Sequence, residues 1–186
     1  MKKLTPIIIL LLILTSAFQK DADRIEWSPT RLLTWADFKG KADKSSPYEA
    51  VTYTTIEVRS LQLDEKQIEY IITNSFEKKS SWSKDKKSVG LLKHEQLHFD
   101  ISELVVRKMR KKLLSKKYKS IKEIQNFARD AFGECEKERK HLNVLYDKET
   151  NHSINKDKQK EWEDKIEAEL GEFTEYSMTL LVLKVE

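Results

Sequence analysis

The feature that most restricts how this chain can fold is His94-Glu95-Gln96-Leu97-His98, set in Leu91-Leu92-Lys93-His94-Glu95-Gln96-Leu97-His98-Phe99-Asp100. Residues four apart on an α-helix stand one turn above each other, so this spacing puts two imidazoles on one face, ready to grip a single metal ion. At about 100° per residue, Ile101 and Val105 fall within about 20° of His94, and Leu97, Leu104 and Met109 within about 80°. The histidines therefore face the protein interior. Glu95, about 100° around from His94, is offset from the ligand line yet able to reach a water at the ion, which is the place of a general base. The pattern is the H-E-x-x-H arrangement of zinc peptidases and sets the expectation of one Zn2+ ion.

A catalytic zinc usually takes three protein ligands and keeps one position open. Glu103 and Asp100 stand about 180° and about 240° around the helix from His94 and point away. Three downstream residues remain: His152, Glu138 and Asp147. Imidazole suits zinc, and a loop past a helix end can swing back over the first helix, so His152 is the expected third ligand, with Glu138 and Asp147 as alternatives. His141, about 260° from Ile124 on the second helix, is expected to be exposed.

The chain begins with basic Met1-Lys2-Lys3, an apolar run from Pro6 to Leu14, and small Thr15-Ser16-Ala17. This reads as a signal peptide over residues 1–17 followed by one domain over residues 18–186. An exported protein is expected, periplasmic or secreted, with no stable membrane insertion after cleavage. Lysines and arginines number 35 against 31 acidic residues, and the signs alternate along the helical stretches. That balance describes a solvated surface and gives no case for nucleic acid. The basic cluster from Lys108 to Lys119 reads as cations near a helix C-terminus. Cys135, the single cysteine, excludes an internal disulfide and falls on an apolar helix face, where a buried structural thiol is expected.

Residues 21–47 read as an irregular wrap anchored by Trp27, Leu32, Leu33, Trp35 and Phe38. Strands are expected over residues 49–61 and 67–76, joined by a turn near Asp64-Glu65. Residues 77–87 read as a loop or a short edge strand, where an extended peptide could add its own backbone. A long helix from near Ser88 to about Lys117 follows. Ser120 and Glu123 then form a capping box for a second helix with a buried stripe of Ile121, Ile124, Ala128, Ala131, Cys135, Leu142 and Leu145. Residues 147–158 read as loop, 159–170 as a third helix ended by Gly171, and 176–185 as a last buried strand or a C-terminal packing segment. The expected class is α+β, a small antiparallel sheet packed on long helices.

Three blocks carry a resemblance: Leu33-Thr34-Trp35-Ala36-Asp37-Phe38-Lys39-Gly40, the segment His94 to Glu103, and Tyr146-Asp147-Lys148-Glu149-Thr150-Asn151-His152 followed by Gln159 and Trp162. In that order they resemble the bacterial exported proteins catalogued as domain of unknown function 922, described as predicted secreted zinc-dependent proteases. The resemblance spans about Trp27 to Leu170. It implies a zincin-like α+β fold and peptidase activity. The family pattern places glycine after the last histidine; here Ser153 follows.

The expected chemistry is peptide hydrolysis, with zinc on His94, His98 and His152 activating water and Glu95 moving its proton to the leaving amine. The substrate would be a peptide or protein. Tyr146 and His141 are the nearest candidates for an oxyanion donor, and Asp147 or Glu103 for orienting the histidines. The rival expectation is a non-catalytic zinc-binding envelope or interaction protein, whose structural site would be closed by a fourth protein ligand.

Overall fold

The computed structural model describes residues 23–186, and the expected signal peptide lies outside them. Strand β1 spans Arg24–Glu26, β2 Ala50–Val51, β3 Thr54–Gln62, β4 Gln67–Glu77, β5 Trp82–Ser83 and β6 Leu180–Lys184; helices α1, α2 and α3 span Val89–Leu114, Ile121–Thr150 and Lys156–Glu172. The chain is α+β, as its periodicities indicate.

β4 is the centre of the main sheet. β3 pairs antiparallel along one edge, and on the other edge β1 takes the end near Phe76 while β6 takes the end near Ile68. Period-two alternation turns Ile68, Tyr70 and Ile72 to one face, and all are buried. There they meet Val105, Val106, Met109 and Leu113 of α1 and Ile124, Ala128 and Ala131 of α2. Burying each such aliphatic side chain contributes about 1.5–3 kcal/mol. The opposite side of α1 packs Leu97, Ile101 and Leu104 against Tyr146 of α2 and Trp162 and Ile166 of α3. The N-terminal wrap closes the remaining flank with Leu33 and Phe38 on Phe76 and Phe99. The middle of α1, from His94 to Arg110, thus has no exposed residue.

The wrap docks closely at Gly40, where an added Cβ would lie 2.7 Å from the Ser81 carbonyl oxygen and 2.9 Å from that of Lys79. Only glycine fits that approach. β2 and β5 form a separate two-stranded ribbon, so the segment after β4 does supply a short strand. Among the described residues no helix is long and apolar enough to cross a membrane.

Helix boundaries depart from the sequence reading in ways that matter for the site. Ser88 caps α1 by accepting from the Leu91 N–H, and α1 ends at Leu114. Ser120 caps α2 by accepting from Glu123 N–H, while Glu123 accepts from Lys119 N–H. α2 then continues through Thr150, so Asp147 is a helical residue and not part of a loop. The polar run hides this, because the turn facing the core offers only Tyr146 and Thr150 as buried residues. α3 begins at Lys156 under an Asn155 cap, and Gly171 lies inside it. Cys135 is buried and unpaired, its thiol pushed up to about 12 by burial.

Candidate metal centre

α1 presents His94 and His98 toward α2, where Arg139, Asn143 and Asp147 share one face at four-residue spacing. The His94 Nε2 and His98 Nε2 atoms lie 3.2 Å apart. Asp147 Oδ1 is 3.1 Å from the first and 3.2 Å from the second. The three residues form a group able to hold a metal ion.

The surrounding hydrogen bonds decide which way each ring points. Gln159 donates from Nε2 to Glu163 Oε1 at 3.0 Å, and its Oε1 accepts from Tyr146 Oη at 2.9 Å. Its carbonyl oxygen therefore faces His94 Nδ1, 3.1 Å away, and accepts that N–H. Asn143 donates to the Arg139 carbonyl at 2.7 Å, which turns its Oδ1 toward His98 Nδ1 at 2.5 Å. Both neutral imidazoles thus carry hydrogen on Nδ1 and direct the Nε2 lone pair at Asp147. Three acceptor atoms facing one another repel unless a cation or protons stand among them. Tetrahedral zinc with bonds of about 2.1 Å spaces its ligands by about 3.4 Å, close to this triangle. The donor set fits such an ion.

Without an ion the same atoms share protons. Burial alone would raise the Asp147 carboxyl, but hydrogen bonds from His94 and His98 hold it far below the usual carboxylate range. Burial alone would lower His98; the Asp147 hydrogen bond and the Glu95 charge outweigh it and raise the imidazole.

A cavity of about 900 Å³ opens beside the group, lined by His94, Glu95, His98, Asp147 and His152 with Ala50 and Val51 of β2. Glu95 is 3% exposed, and its Oε2 has no hydrogen-bond partner in the protein. A buried carboxylate oxygen with no donor costs about 1–3 kcal/mol or more, and such atoms concentrate where chemistry uses them.

His152 stands at the cavity mouth. Its side chain is half exposed, Nδ1 lies 3.5 Å from Asp147 Oδ1, and its ring meets Tyr48 edge-on at 5.2 Å. It falls outside the group of three. Asn151, His152 and Ser153 all adopt positive φ, at 46°, 51° and 73°. The His152 N–H on the Asp147 carbonyl, at 3.0 Å, helps hold this left-handed turn. Left-handed backbone costs a residue with a Cβ roughly 1–2 kcal/mol. Ser153→Gly should therefore raise unfolding free energy by about 1 kcal/mol. Equal midpoints in urea for variant and wild type would contradict that.

Other candidates lie elsewhere. Glu138 pairs with Lys108 at 3.1 Å. Glu103, expected to orient a histidine, instead accepts from Arg107 and Arg110 in the core. Tyr146, expected as an oxyanion donor, stacks behind His94 with ring centroids 4.5 Å apart and bonds Gln159, so its hydroxyl is not offered to the cavity. His141 is exposed, as its helical phase indicates, and lies outside the cavity lining.

Sequence reasoning missed Asn143, Gln159 and Glu163. For Asn143 the signal was its position four residues before Asp147 on one helix; for Gln159 only its place in the third resembling block marked it. Gln159→Leu should weaken metal binding roughly 10–100-fold, because His94 loses the acceptor that fixes its tautomer. Competitive titration with a chromogenic chelator measures this, and unchanged affinity in a folded variant would remove Gln159 from that role.

No curated protein and no solved structure matches the chain. Residues 67–153 match the model of a family described as bacterial protein of unknown function (DUF922), a stretch running from the start of β4 through α1 and α2 to the left-handed turn. All three members of the candidate metal group lie within the stretch that is similar to that family.

Proposed function

We propose that this protein is an exported zinc-dependent peptidase. The observation that carries the reading is the meeting of three lone-pair atoms, from His94, His98 and Asp147, on the wall of a cavity that also holds the unpartnered Glu95 Oε2. When bound, zinc supplies a Lewis acid for a carbonyl and for water. His94, His98 and Asp147 hold it, and Gln159 and Asn143 keep the two rings aimed. Glu95 accepts a proton from the attacking water and returns it to the leaving amine. Ala50 and Val51, a two-residue strand on the cavity wall, place extended backbone where a peptide substrate would lie. A metal-stapled, non-catalytic domain is the second reading, and the approach of His152 to Asp147 favours it, since a fourth protein donor would close the site.

Elemental analysis of the mature chain and of Asp147→Ala, His152→Ala and Glu138→Ala, run beside chelator-sensitive hydrolysis of an unfolded protein substrate, tests both. The expected result is about one zinc per chain, lost in Asp147→Ala, retained in Glu138→Ala, with hydrolysis that chelation abolishes. Zinc lost in His152→Ala alone assigns the third position to His152. Loss in both, with no hydrolysis and unfolding on chelation, establishes the structural site. A folded wild type that takes up no zinc overturns the metal reading altogether.

A further inference from the structure

α1 turns a second face, with Gln96, Asp100 and Glu103 about 180–240° around from His94, into another cavity of about 870 Å³. Leu32, Leu92, Ile166 and Leu170 form apolar walls. Its size falls within the range of about 300–1,000 Å³ that holds small organic ligands.

The charge around this cavity is unbalanced. Five carboxylates line it, Glu26, Asp100, Glu103, Glu163 and Glu167, against three basic groups, Lys93, Arg107 and Arg110. Both arginines are engaged with Glu103. Among the described residues no basic side chain pairs with the other four acids. Asp100 Oδ1 accepts from Trp27 Nε1 at 2.7 Å and from Gln96 Nε2 at 2.8 Å, so neutral dipoles solvate its charge and no cation among the described residues pairs with it. The lining therefore holds two negative charges in excess, in a chain whose formal net charge is +4. A low-dielectric pocket of one sign favours ligands of the other.

We propose that this cavity binds an amphiphilic organic cation, an alkylammonium whose apolar body lies against Leu32, Leu92, Ile166 and Leu170 and whose ammonium pairs with Asp100. Glu167 adds negative potential beside it. An anionic amphiphile of the same size meets the excess carboxylates, and a neutral one leaves Asp100 without a counter-ion.

The test titrates the mature protein with n-octylammonium, n-octanol and octanoate below their aggregation limits, following heat and tryptophan emission, with excess chelator and again with zinc. The ammonium should bind at least tenfold more tightly than either comparator, equally with and without zinc. Asp100→Asn keeps the acceptor oxygen for Trp27 and Gln96, so the fold is retained; affinity should fall about tenfold, and less in Glu167→Gln. Glu163 is left intact because it also supports Gln159. Octanol binding as tightly as the ammonium, or Asp100→Asn binding undiminished, would overturn the proposal. Binding that appears only with zinc would move the ligand to the metal centre and overturn it equally. Neither result bears on peptidase activity, which stands or falls on zinc content and hydrolysis.

Discussion

Glu95→Gln should retain its zinc and lose roughly 10²–10⁴-fold in kcat/KM toward any peptide the wild type cleaves. Glutamine has the shape of glutamate but cannot take a proton from water, so the substitution isolates that one step. The site tolerates it structurally, since Glu95 Oε2 makes no hydrogen bond within the protein that the change would break. Removing a buried, unpaired charge leaves stability unchanged or improved. Metal stoichiometry and steady-state kinetics on the same preparation separate the outcomes. Activity that survives with zinc in place would sink the general-base role, and zinc loss matching the activity loss would make Glu95 part of the binding shell.

The largest expected effect on stability belongs to Arg110, which does not line the cavity beside His94, His98 and Asp147. Arg110 is 1% exposed, and its guanidinium links three elements. Nη1 donates to Glu103 Oε1 and to the Tyr176 carbonyl, both at 3.0 Å, and Nη2 donates to the Ile72 carbonyl at 2.7 Å. It thereby fastens α1 to β4 and to the turn before β6. Arg110→Met fills similar volume but strands a buried carboxylate with Arg107 alone and leaves two carbonyls without donors. Breaking one side of such a network costs about 3–5 kcal/mol, a large share of the 5–15 kcal/mol that holds a typical domain together. Urea unfolding followed by circular dichroism measures it. A loss under about 1 kcal/mol would show that the network is offset by its own desolvation, as buried ion pairs sometimes are.

Most of the fold was legible because it rests on local rules. The alternation of Ile68, Tyr70 and Ile72, the Ser120 cap and the 3.6-residue stripe of α2 depend on neighbours within one or two turns. The errors fell where polar sequence masks a helix. Lys156-Asp157-Lys158 carries no apolar residue, and the last turn of α2 is held by packing on Tyr146 and Thr150 as much as by propensity. Ending α2 too early placed Asp147 in a loop and left it an alternative behind His152, whereas the helix carries its carboxylate to both imidazoles.

By itself the sequence determined that two imidazoles and Glu95 share one stretch of helix facing the core, because four-residue spacing fixes that geometry wherever the helix lies. It also determined the α+β class, through the switch from period two to period 3.6. Only the tertiary structure decided what meets the imidazoles. His94 touches Asp147 across 53 residues and Gln159 across 65, contacts created by the packing of α2 and α3 on α1. Helical periodicity carries no information about that packing, since a helix fixes which side chains share its face but not which face of another helix they will find.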